Sequence, residues 1–234
     1  MKTTLVIPAA GEGKRFKDAG YPMPKLLIGM PNGQTMIECV IDNLGQYDQS
    51  FVLINNAALI PVAVAGNISA VSIGEITDGP ACTVLRIKAA INNDHLLLAN
   101  CDQIVEDFYY PMLRAFANSV KADVVLGCFI STSPKNSYVR LNDDGQIIEV
   151  REKEVISNIA TNGLHWFRRG SDFVRGAEKM IEADDRVNGE FYIAPSVNYL
   201  IAEGLKVMPF FFNLHFPIGT PEDLQKYEAI HAKL

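Results

Sequence analysis

The sequence predicts an α/β domain with a mainly parallel central sheet, and three observations support this prediction. Five short apolar runs have the length and composition of buried β-strands, and stretches with a helical pattern separate several of them. Strands that alternate with helices are typical of a parallel sheet. After residue 137 the pattern changes to extended segments joined by short turns, which indicates antiparallel strands added to the parallel core. The five apolar runs lie at residues 3–8, 50–56, 70–73, 95–99 and 122–129.

Helices are expected between and after these strands. Ser171 and Thr220 have the hydroxyl side chains that are favoured at N-caps, and Pro221 occupies the favoured first helical position. The antiparallel strands are expected at residues 137–141, 146–150 and 161–167, with an Asp-Asp-Gly turn between the first two. The six predicted helices span residues 35–44, 80–91, 111–119, 171–182, 194–202 and 221–232.

One domain accounts for the whole chain. The 234 residues are 48% apolar and 21% charged, which is close to the usual balance of a globular chain that buries a substantial core. No internal repeat, low-complexity tract or linker interrupts the pattern. We therefore expect residues 1–234 to form a single domain with a β-rich insertion.

Charge and patterning disfavour several kinds of partner. The chain has 21 basic and 27 acidic residues, and its net charge of −6 disfavours binding to nucleic acid. The first apolar run ends at Gly11, too soon for the core of a signal peptide, and the longest later run, at 57–65, is interrupted by Pro61. The sequence therefore predicts a cytoplasmic protein without a membrane partner, and it leaves a homo-oligomer open. The cysteines are too widely spaced for a zinc motif or a disulfide framework: Cys39, Cys82, Cys101 and Cys128.

A glycine-rich loop follows the first predicted strand. Residues 9–15, Ala-Ala-Gly-Glu-Gly-Lys-Arg, combine glycines, whose backbone approaches a phosphate closely, with the positive charges of Lys14 and Arg15. The spacing is neither that of a Walker loop nor that of a dinucleotide-binding loop, so an ordinary surface turn is an equal alternative. Further on, Lys25 stands at the entrance of an apolar run, where it neutralises a second phosphate or simply extends along the surface.

A carboxylate follows the fourth apolar run. Asp102 lies just beyond the end of a predicted strand, at the sheet edge where open α/β domains bind ligands, and its oxygens suit Mg²⁺ that carries phosphates. A helix cap is the alternative role. Later, Glu152 and Lys153 follow an extended segment, and Asn162 and Gly163 lie in the next one. Taken alone, these two pairs have the composition of a solvated charge run and of an ordinary turn.

The order of these pieces resembles that of the sugar-phosphate nucleotidyltransferase family. The resemblance extends from residue 5 to residue 224, and it implies a Rossmann-like domain with three α/β/α layers, of the nucleotide-diphospho-sugar transferase type. It also implies a reaction between an NTP and a phosphorylated acceptor that releases pyrophosphate. The segments that carry it are AAGEGKR at 9–15, PKLL at 24–27, GPACT at 79–83, LLANCD at 97–102, EK at 152–153, TNGLHWF at 161–167, GEFY at 189–192 and IGTPEDL at 218–224.

The resemblance implies roles for residues on the nucleotide half of a site. Gly11 and Gly13, with Ala10 beside them, would hold the NTP phosphates through their N–H groups. Arg15 would balance charge on the departing pyrophosphate, and Lys25 would contact the reacting phosphates. The segment expected against the nucleobase is Gly79, Pro80 and Ala81.

The acceptor half is assigned in the same way. Lys153 would meet the acceptor phosphate and, with Arg15 and Lys25, would complete the set of catalytic cations. The residues expected around the rest of the acceptor are Glu152, Asn162, Gly163 and Glu190.

The resemblance also implies Mg²⁺ as the cofactor, with Asp102 as its ligand. Many family members carry a second metal-binding aspartate just before the IGTP-like segment, but this chain has His215-Phe216-Pro217 there. His215 or Glu190 would then replace the second carboxylate, or Asp102, phosphate oxygens and water would complete the shell.

The expected activity is transfer of NMP from an NTP to a phosphorylated acceptor, with a sugar 1-phosphate favoured, in nucleotide-sugar or surface-polysaccharide synthesis. A phosphate acceptor is already ionised, so the site needs cations more than a general base, and His95, His165 and His215 are expected to be structural. A cytidylyltransferase for a phosphorylated amine or amino acid is one alternative. A glycosyltransferase is another, although residues 100–102 lack the first carboxylate of a DxD motif, and a silent nucleotide-binding subunit is the third.

Overall fold

The computed structural model describes residues 1–55, 68–106 and 108–231. The apolar run at 57–65 lies outside the described residues, as does Ala232 at the end of the last predicted helix. Within the described ranges, no helix is both long and apolar enough to cross a membrane.

A nine-stranded sheet forms the centre of the molecule, with the strand order β10-β6-β9-β4-β1-β2-β3. Two further strands, β7 and β8, pair with each other, and β7 also pairs with β9. The strands are β1 (Thr3–Pro8), β2 (Gln49–Ile54), β3 (Ile68–Ser72), β4 (His95–Leu98), β6 (Val124–Ile130), β7 (Ser137–Leu141), β8 (Ile147–Glu152), β9 (Ile159–Phe167) and β10 (Val207–Phe211), and a separate ladder joins β5 (Gln103–Val105) to β11 (His215–Pro217).

The predicted α/β fold with a mainly parallel sheet is confirmed. Strands β4, β1, β2 and β3 are parallel neighbours, and so are β6 and β10. The predicted antiparallel addition to the parallel core is also present, and β9 lies inside the sheet, antiparallel to both β4 and β6. Its side chains are buried on both faces, as Trp166 and Phe167 show, and such a strand belongs at the centre of a sheet.

Three strands were not predicted, and each lacks a clear signal in the sequence. Strands β5 and β11 have three residues each, too few for a recognisable pattern. Strand β10 contains Pro209, which cannot donate a backbone hydrogen bond. A proline is tolerated there because β10 is an edge strand of the sheet.

All six predicted helices are present, with differences at their ends. The helix expected at 80–91 ends at Leu85 and is followed by a 3-10 turn at Lys88–Ala90, and a 3-10 turn at Ala194–Ser196 precedes the helix expected from residue 194. One short helix, at Lys14–Asp18, was not predicted. The helices are α1 (Lys14–Asp18), α2 (Met36–Leu44), α3 (Pro80–Leu85), α4 (Tyr110–Ser119), α5 (Gly170–Glu182), α6 (Val197–Ala202) and α7 (Pro221–His231).

The predicted N-caps have different outcomes. Thr220 is confirmed, since the Asp223 amide donates to its hydroxyl oxygen at 3.2 Å. Ser171 is wrong, because α5 begins one residue earlier and the Ser171 hydroxyl donates to Asn93 Oδ1 instead. Thr35 forms a capping box with Glu38, which fixes the start of α2.

Helices cover both faces of the sheet and produce the expected three layers. Alternate residues of one strand enter different cores: Leu5 and Ile7 of β1 lie in the first core, and Val6 lies in the second. Helices α2, α4 and α7 contribute buried residues to the first core, whereas α3, α5 and α6 contribute to the second. The helices therefore leave the edge of the sheet, rather than its faces, for a ligand.

Two loops meet at the edge formed by the carboxyl ends of β1 and β4. These strands are parallel neighbours, so residues 9–13 after β1 and residues 99–102 after β4 emerge side by side. The β5–β11 ladder continues from the second loop, and the Ile218 amide donates to the Asp102 carbonyl oxygen at 2.9 Å. The fold thus gathers three separate segments of the sequence at one edge, the position where open α/β sheets bind ligands.

Helix α5 packs closely on α6, and Gly176 makes this approach possible. A Cβ at Gly176 would lie 2.8 Å from the main-chain oxygen of Ser196 and 3.1 Å from Leu200 Cγ. We expect Gly176→Ala to destabilise the protein by about 1–2 kcal/mol, because the clash with backbone outweighs the gain in helix propensity. Urea unfolding measures this change.

The matched control is Gly29→Ala, because a Cβ at Gly29 would meet no described atom within 4 Å. That variant should stay within about 1 kcal/mol of the wild type. Equal unfolding midpoints for the two variants would contradict the packing argument.

Candidate functional site

The loop between β1 and α1 is fixed at one end and open at the other. Gly13 adopts the left-handed φ of +65° and its carbonyl oxygen accepts from the amides of Phe16 and Lys17 at 3.1 and 3.2 Å. A Cβ at Gly13 would lie 3.2 Å from Lys25 Cβ, so a glycine allows the loop to pack against Lys25. Gly11 is exposed, and its backbone is accessible to a ligand.

Two further residues of the predicted phosphate loop differ in exposure. Ala10 is buried, and its carbonyl oxygen accepts a hydrogen bond from Asn55 Nδ2 at 2.9 Å. Arg15, on the first turn of α1, is exposed. The loop therefore presents a charged side chain above an anchored backbone.

Lys25 and Asp102 form an ion pair at the centre of the site. The distance between Lys25 Nζ and Asp102 Oδ2 is 2.5 Å, and the two side chains are only 18% and 28% exposed. Burial alone would lower the pKa of Lys25, but the Asp102 carboxylate outweighs it and raises this pKa. Burial alone would likewise raise the pKa of Asp102, but Lys25 outweighs it and lowers that pKa. Each group therefore keeps the other charged.

Gly219 supports this ion pair, and the sequence analysis did not single it out. A Cβ at Gly219 would lie 2.5 Å from Asp102 Oδ2, so the Asp102 carboxylate occupies the space that a glycine leaves open. The sequence signal for this contact is the glycine of the IGTP-like segment at 218–221, because a glycine within a motif often marks a close approach.

His215 is close enough to Asp102 for the carboxylate to affect its pKa, but its side chain contacts Gln103. Its Nε2 is 3.3 Å from Gln103 Oε1, and burial lowers its pKa to about 4, against the opposing effect of Asp102. The imidazole is therefore neutral at pH 7. In the described part of the chain, the Nε2 atom of Gln103 is buried without a hydrogen-bond partner.

The site supplies one carboxylate for a metal ion. Asp102 Oδ2 is paired with Lys25, whereas Asp102 Oδ1 accepts no hydrogen bond from the described residues. Within those residues, no group of three or more His, Cys, Asp or Glu side chains comes together. This donor set fits Mg²⁺ that takes most of its ligands from substrate phosphates and water, as Mg²⁺ commonly does.

The segment expected against the nucleobase is locked to the main chain of Phe191. The Phe191 amide donates to the Asp78 carbonyl oxygen at 2.7 Å, and the Ala81 amide donates to the Phe191 carbonyl oxygen at 3.0 Å. A Cβ at Gly79 would lie 2.6 Å from the Phe191 backbone, so this approach already requires a glycine. Ala81 is fully buried in the second core, and Pro80 begins α3.

Three residues expected around the acceptor, Glu152, Lys153 and Glu190, interact with one another and with Ser137 and Tyr192. Glu152 accepts a hydrogen bond from the Ser137 hydroxyl, and Lys153 Nζ donates to the Tyr192 hydroxyl oxygen. Burial raises the pKa of Glu152 and outweighs the lowering effects of the Ser137 hydrogen bond and of the Lys153 charge, while Glu190 adds a smaller rise. Tyr192 was not among the predicted site residues, although it lies in the GEFY segment that carries the family resemblance.

Asn162 and Gly163 are placed differently from the other acceptor residues, because both lie inside the sheet. Asn162 is 2% exposed, and its Oδ1 accepts from the Leu164 amide at 3.2 Å. Its Nδ2 is a buried donor without a partner among the described residues, and buried donors are usually satisfied. Gly163, with φ of +79°, leaves room for the side chain of Asn100.

The other two histidines named in the sequence analysis serve the packing of the sheet. His95 Nδ1 lies 2.9 Å from the Arg168 carbonyl oxygen, and its ring packs against Trp166. His165 Nδ1 lies 3.1 Å from the Gly163 carbonyl oxygen, and burial lowers its pKa to about 4. The first contact joins β4 to the residue that follows β9, and the second lies within β9.

Arg15 connects the two halves of the site. Its positive charge, behind the larger effects of burial and of Lys25, helps to lower the pKa of Asp102. It also opposes the rise in the pKa of Tyr192 that burial and Glu190 cause. The charge of Arg15 therefore acts on both Asp102 and Tyr192.

Sequence comparison places the first half of the chain in a known family. The model of the MobA-like NTP transferase domain matches residues 5–131, which is more than half of the chain. No protein with a curated function matches the sequence significantly.

Solved structures share the fold over nearly the whole chain. A nucleoside-diphosphate-sugar pyrophosphorylase from Vibrio cholerae RC9 is 23% identical, with a TM-score of 0.83 and coverage of 96% of this chain and 99% of that one. A UDP-glucose pyrophosphorylase complexed with UDP-glucose is 16% identical, with a TM-score of 0.80 and coverage of 100% and 99%. The inositol-1-phosphate CTP transferase from T. maritima is 15% identical, with a TM-score of 0.74 and coverage of 99% and 96%.

The ion pair predicts how Asp102 responds when its partner is removed. In the wild type, the Asp102 carboxyl should titrate below its ordinary pKa of 3.8, so the pair stabilises the fold above that pH and loses this effect as the pH falls through the lowered pKa. In Lys25→Met, burial acts without the main counter-ion, and we expect the pKa of Asp102 to rise above 3.8. Carbon-13 NMR of aspartate carboxyl groups measures both values.

Lys17→Met is the matched control, because Lys17 is an exposed lysine on α1. It should leave the Asp102 titration in place. An Asp102 resonance that titrates identically in wild type and Lys25→Met would show that the two side chains are not paired in solution.

Proposed function

Because the chain belongs to the family of MobA-like NTP transferase domains, we propose that it transfers NMP from an NTP to a phosphorylated acceptor and releases pyrophosphate. One observation carries this proposal: the cations that such a reaction needs lie along a single edge of the sheet. Lys25 packs on Gly13, the charge of Arg15 acts on both Asp102 and Tyr192, and Tyr192 contacts Lys153.

The reaction requires two anions to meet. An oxygen of the acceptor phosphate forms a bond to the α-phosphorus, the bond from that phosphorus to the bridging oxygen of the β-phosphate breaks, and pyrophosphate leaves with the electron pair. No proton has to be removed from the acceptor, because a phosphate is ionised at neutral pH. Preorganised positive charge is then the main contribution of the protein.

Each cation has a place in this scheme. Arg15 and the backbone of Gly11 and Gly13 bind the phosphates that leave, Lys25 binds the reacting phosphate, and Lys153 binds the acceptor phosphate. Asp102 Oδ1 would hold Mg²⁺, which would neutralise charge on the triphosphate when it is bound. The segment at 79–81 would lie along the base.

The favoured acceptor is a sugar 1-phosphate. Two of the structural neighbours are described as pyrophosphorylases of nucleotide sugars, and the acceptor half of this chain has the carboxylates Glu152 and Glu190, which suit the hydroxyl groups of a sugar. A role in nucleotide-sugar or surface-polysaccharide synthesis in the cytoplasm is part of the proposal.

A phosphorylated amine is the second candidate acceptor. Glu190 raises the pKa of Glu152 and Lys153 lowers it, so two carboxylates and one ammonium group act on one another here, and a second cationic group would interact favourably with the carboxylates. The phosphate of such an acceptor would still bind Lys153.

The proposal is tested with purified protein, Mg²⁺, each of the four common NTPs and a panel of acceptors, with pyrophosphate release as the readout. The panel contains sugar 1-phosphates, phosphorylated amines and phosphorylated amino acids. Release that depends on one acceptor supports the proposal and names its class. Binding of NTP without release for any acceptor would favour a silent nucleotide-binding subunit instead.

Arg15→Ala should reduce turnover by about a hundredfold, because it removes a preorganised charge near the leaving pyrophosphate. The side chain is exposed, so the unfolding midpoint should stay near that of the wild type. Lys17→Ala on the same helix is the control and should keep full turnover. Normal turnover of Arg15→Ala would remove this residue from the mechanism.

Metal affinity should depend on the nucleotide. Since Asp102 is the single carboxylate that the described residues place beside Lys25, Mn²⁺ should bind weakly alone and at least tenfold more tightly with a non-hydrolysable NTP, whose oxygens complete the shell. Calorimetry with and without the nucleotide measures this difference. Equally tight binding in both titrations would mean that the protein supplies further ligands.

A further inference from the structure

Lys153 has an unusual backbone conformation for its position. It follows the last residue of β8 and adopts φ of +57°, in the left-handed region that side chains other than glycine rarely enter. Its amide donates to the Asn136 carbonyl oxygen at 2.9 Å, which holds the turn in place. Strain of this kind is kept where the surroundings determine the conformation, and here it turns the Lys153 side chain out of the strand and toward Tyr192.

Tyr192 makes two contacts with the end of that side chain. Lys153 Nζ lies 4.2 Å from the centroid of the Tyr192 ring, and it also donates a hydrogen bond to the Tyr192 hydroxyl. The main chain of Tyr192 is fixed by its neighbour, because Phe191 is hydrogen-bonded on both sides to Asp78 and Ala81. The main chain that carries the ring is therefore anchored next to Tyr192.

Lys153 and Lys25 differ in the chemical group that each ammonium contacts. Lys25 is paired with a carboxylate, whereas no carboxylate of the described residues lies within 4.0 Å of Lys153 Nζ. Glu152 is instead bonded to Ser137. A phenol holds an ammonium group without neutralising its charge, and the raised pKa of Tyr192, caused by burial and by Glu190, keeps the phenol in that form.

We propose that Tyr192 is a positioning residue that holds the Lys153 ammonium, which is in no close ion pair, where the acceptor phosphate binds. The inference rests on the proposed function, because it concerns the acceptor half of that same site. A free lysine side chain loses rotamer freedom when it binds a phosphate, and a lysine that is already held loses less. Tyr192 therefore acts on acceptor binding through Lys153.

The kinetic test is a double-mutant cycle of Tyr192→Phe and Lys153→Ala. Tyr192→Phe keeps the ring and removes the hydroxyl, and we expect the acceptor KM to rise about tenfold while the NTP KM stays unchanged. In the Lys153→Ala background, the same substitution should have no further effect. Tyr199→Phe is the matched control, since Tyr199 donates to the surface residue Asp185 at 3.2 Å, and it should leave both constants unchanged.

Effects of Tyr192→Phe that persist in the Lys153→Ala background, or that fall on the NTP KM, would overturn the proposal. A merely structural role would give either of these results, because a general disturbance of the site does not depend on Lys153.

A second measurement does not depend on activity. Trace labelling with acetic anhydride, followed by mass spectrometry, compares the reactivity of the Lys153 amine with that of the exposed Lys135 in the same molecule. We expect Lys153 to react more slowly than Lys135 in the wild type and several-fold faster in Tyr192→Phe and Tyr192→Leu than in the wild type. If both variants leave the Lys153 rate unchanged, Tyr192 does not hold this lysine. A wild-type protein that releases no pyrophosphate with any acceptor would contradict the proposed function, and the labelling would still decide the contact.

Discussion

The ion pair between Lys25 and Asp102 is the constraint on which the rest of the site depends. Both groups are largely removed from water, and a charge in such a place is costly unless a partner compensates it. The partners come from distant parts of the chain, so the pair ties the turn at 25–27 to the end of β4. Gly13 and Gly219 must both lack side chains for this geometry, because a Cβ at either would approach the pair. The glycines of two separate motifs are therefore explained by one contact.

The fold provides this contact through its sheet. Because β1 and β4 are parallel neighbours, their following loops emerge at the same edge, and the short β5–β11 ladder brings residues 218–219 back to Asp102. Strand β9 pairs with β4, and its residues Asn162 and Gly163, which we expect around the acceptor, therefore lie toward the same edge. This antiparallel strand thus connects β7 and β8 to β4 and to the loop that contains Asp102.

Much of this arrangement could be predicted from the sequence, and the parts that could not have physical reasons. The long apolar runs specified the central strands, because burial on both faces demands such runs. Ion pairing between Lys25 and Asp102 could not be predicted, since it depends on which loops the sheet order brings together. Gly79 was expected to admit a nucleobase, but its immediate neighbour is the Phe191 backbone, a contact between residues that are far apart in the chain. Tyr192 lies in the GEFY segment that carries the family resemblance, but nothing in the sequence separates its side chain from an aromatic residue of the core.

The segment at 190–192 connects the residues proposed to bind the nucleotide with those proposed to bind the acceptor. Phe191 is bonded to the segment at 78–81 through its main chain, and its neighbours Glu190 and Tyr192 lie on the acceptor side with Lys153. In the proposed reaction the acceptor oxygen must approach the α-phosphorus in line with the leaving group, and correct placement of two reactants accounts for a large part of such a rate. The main-chain hydrogen bonds of Phe191 and the hydrogen bond between Lys153 and Tyr192 restrict how far these two groups of residues can move apart. In the proposed reaction, this short segment would therefore help to align the two substrates.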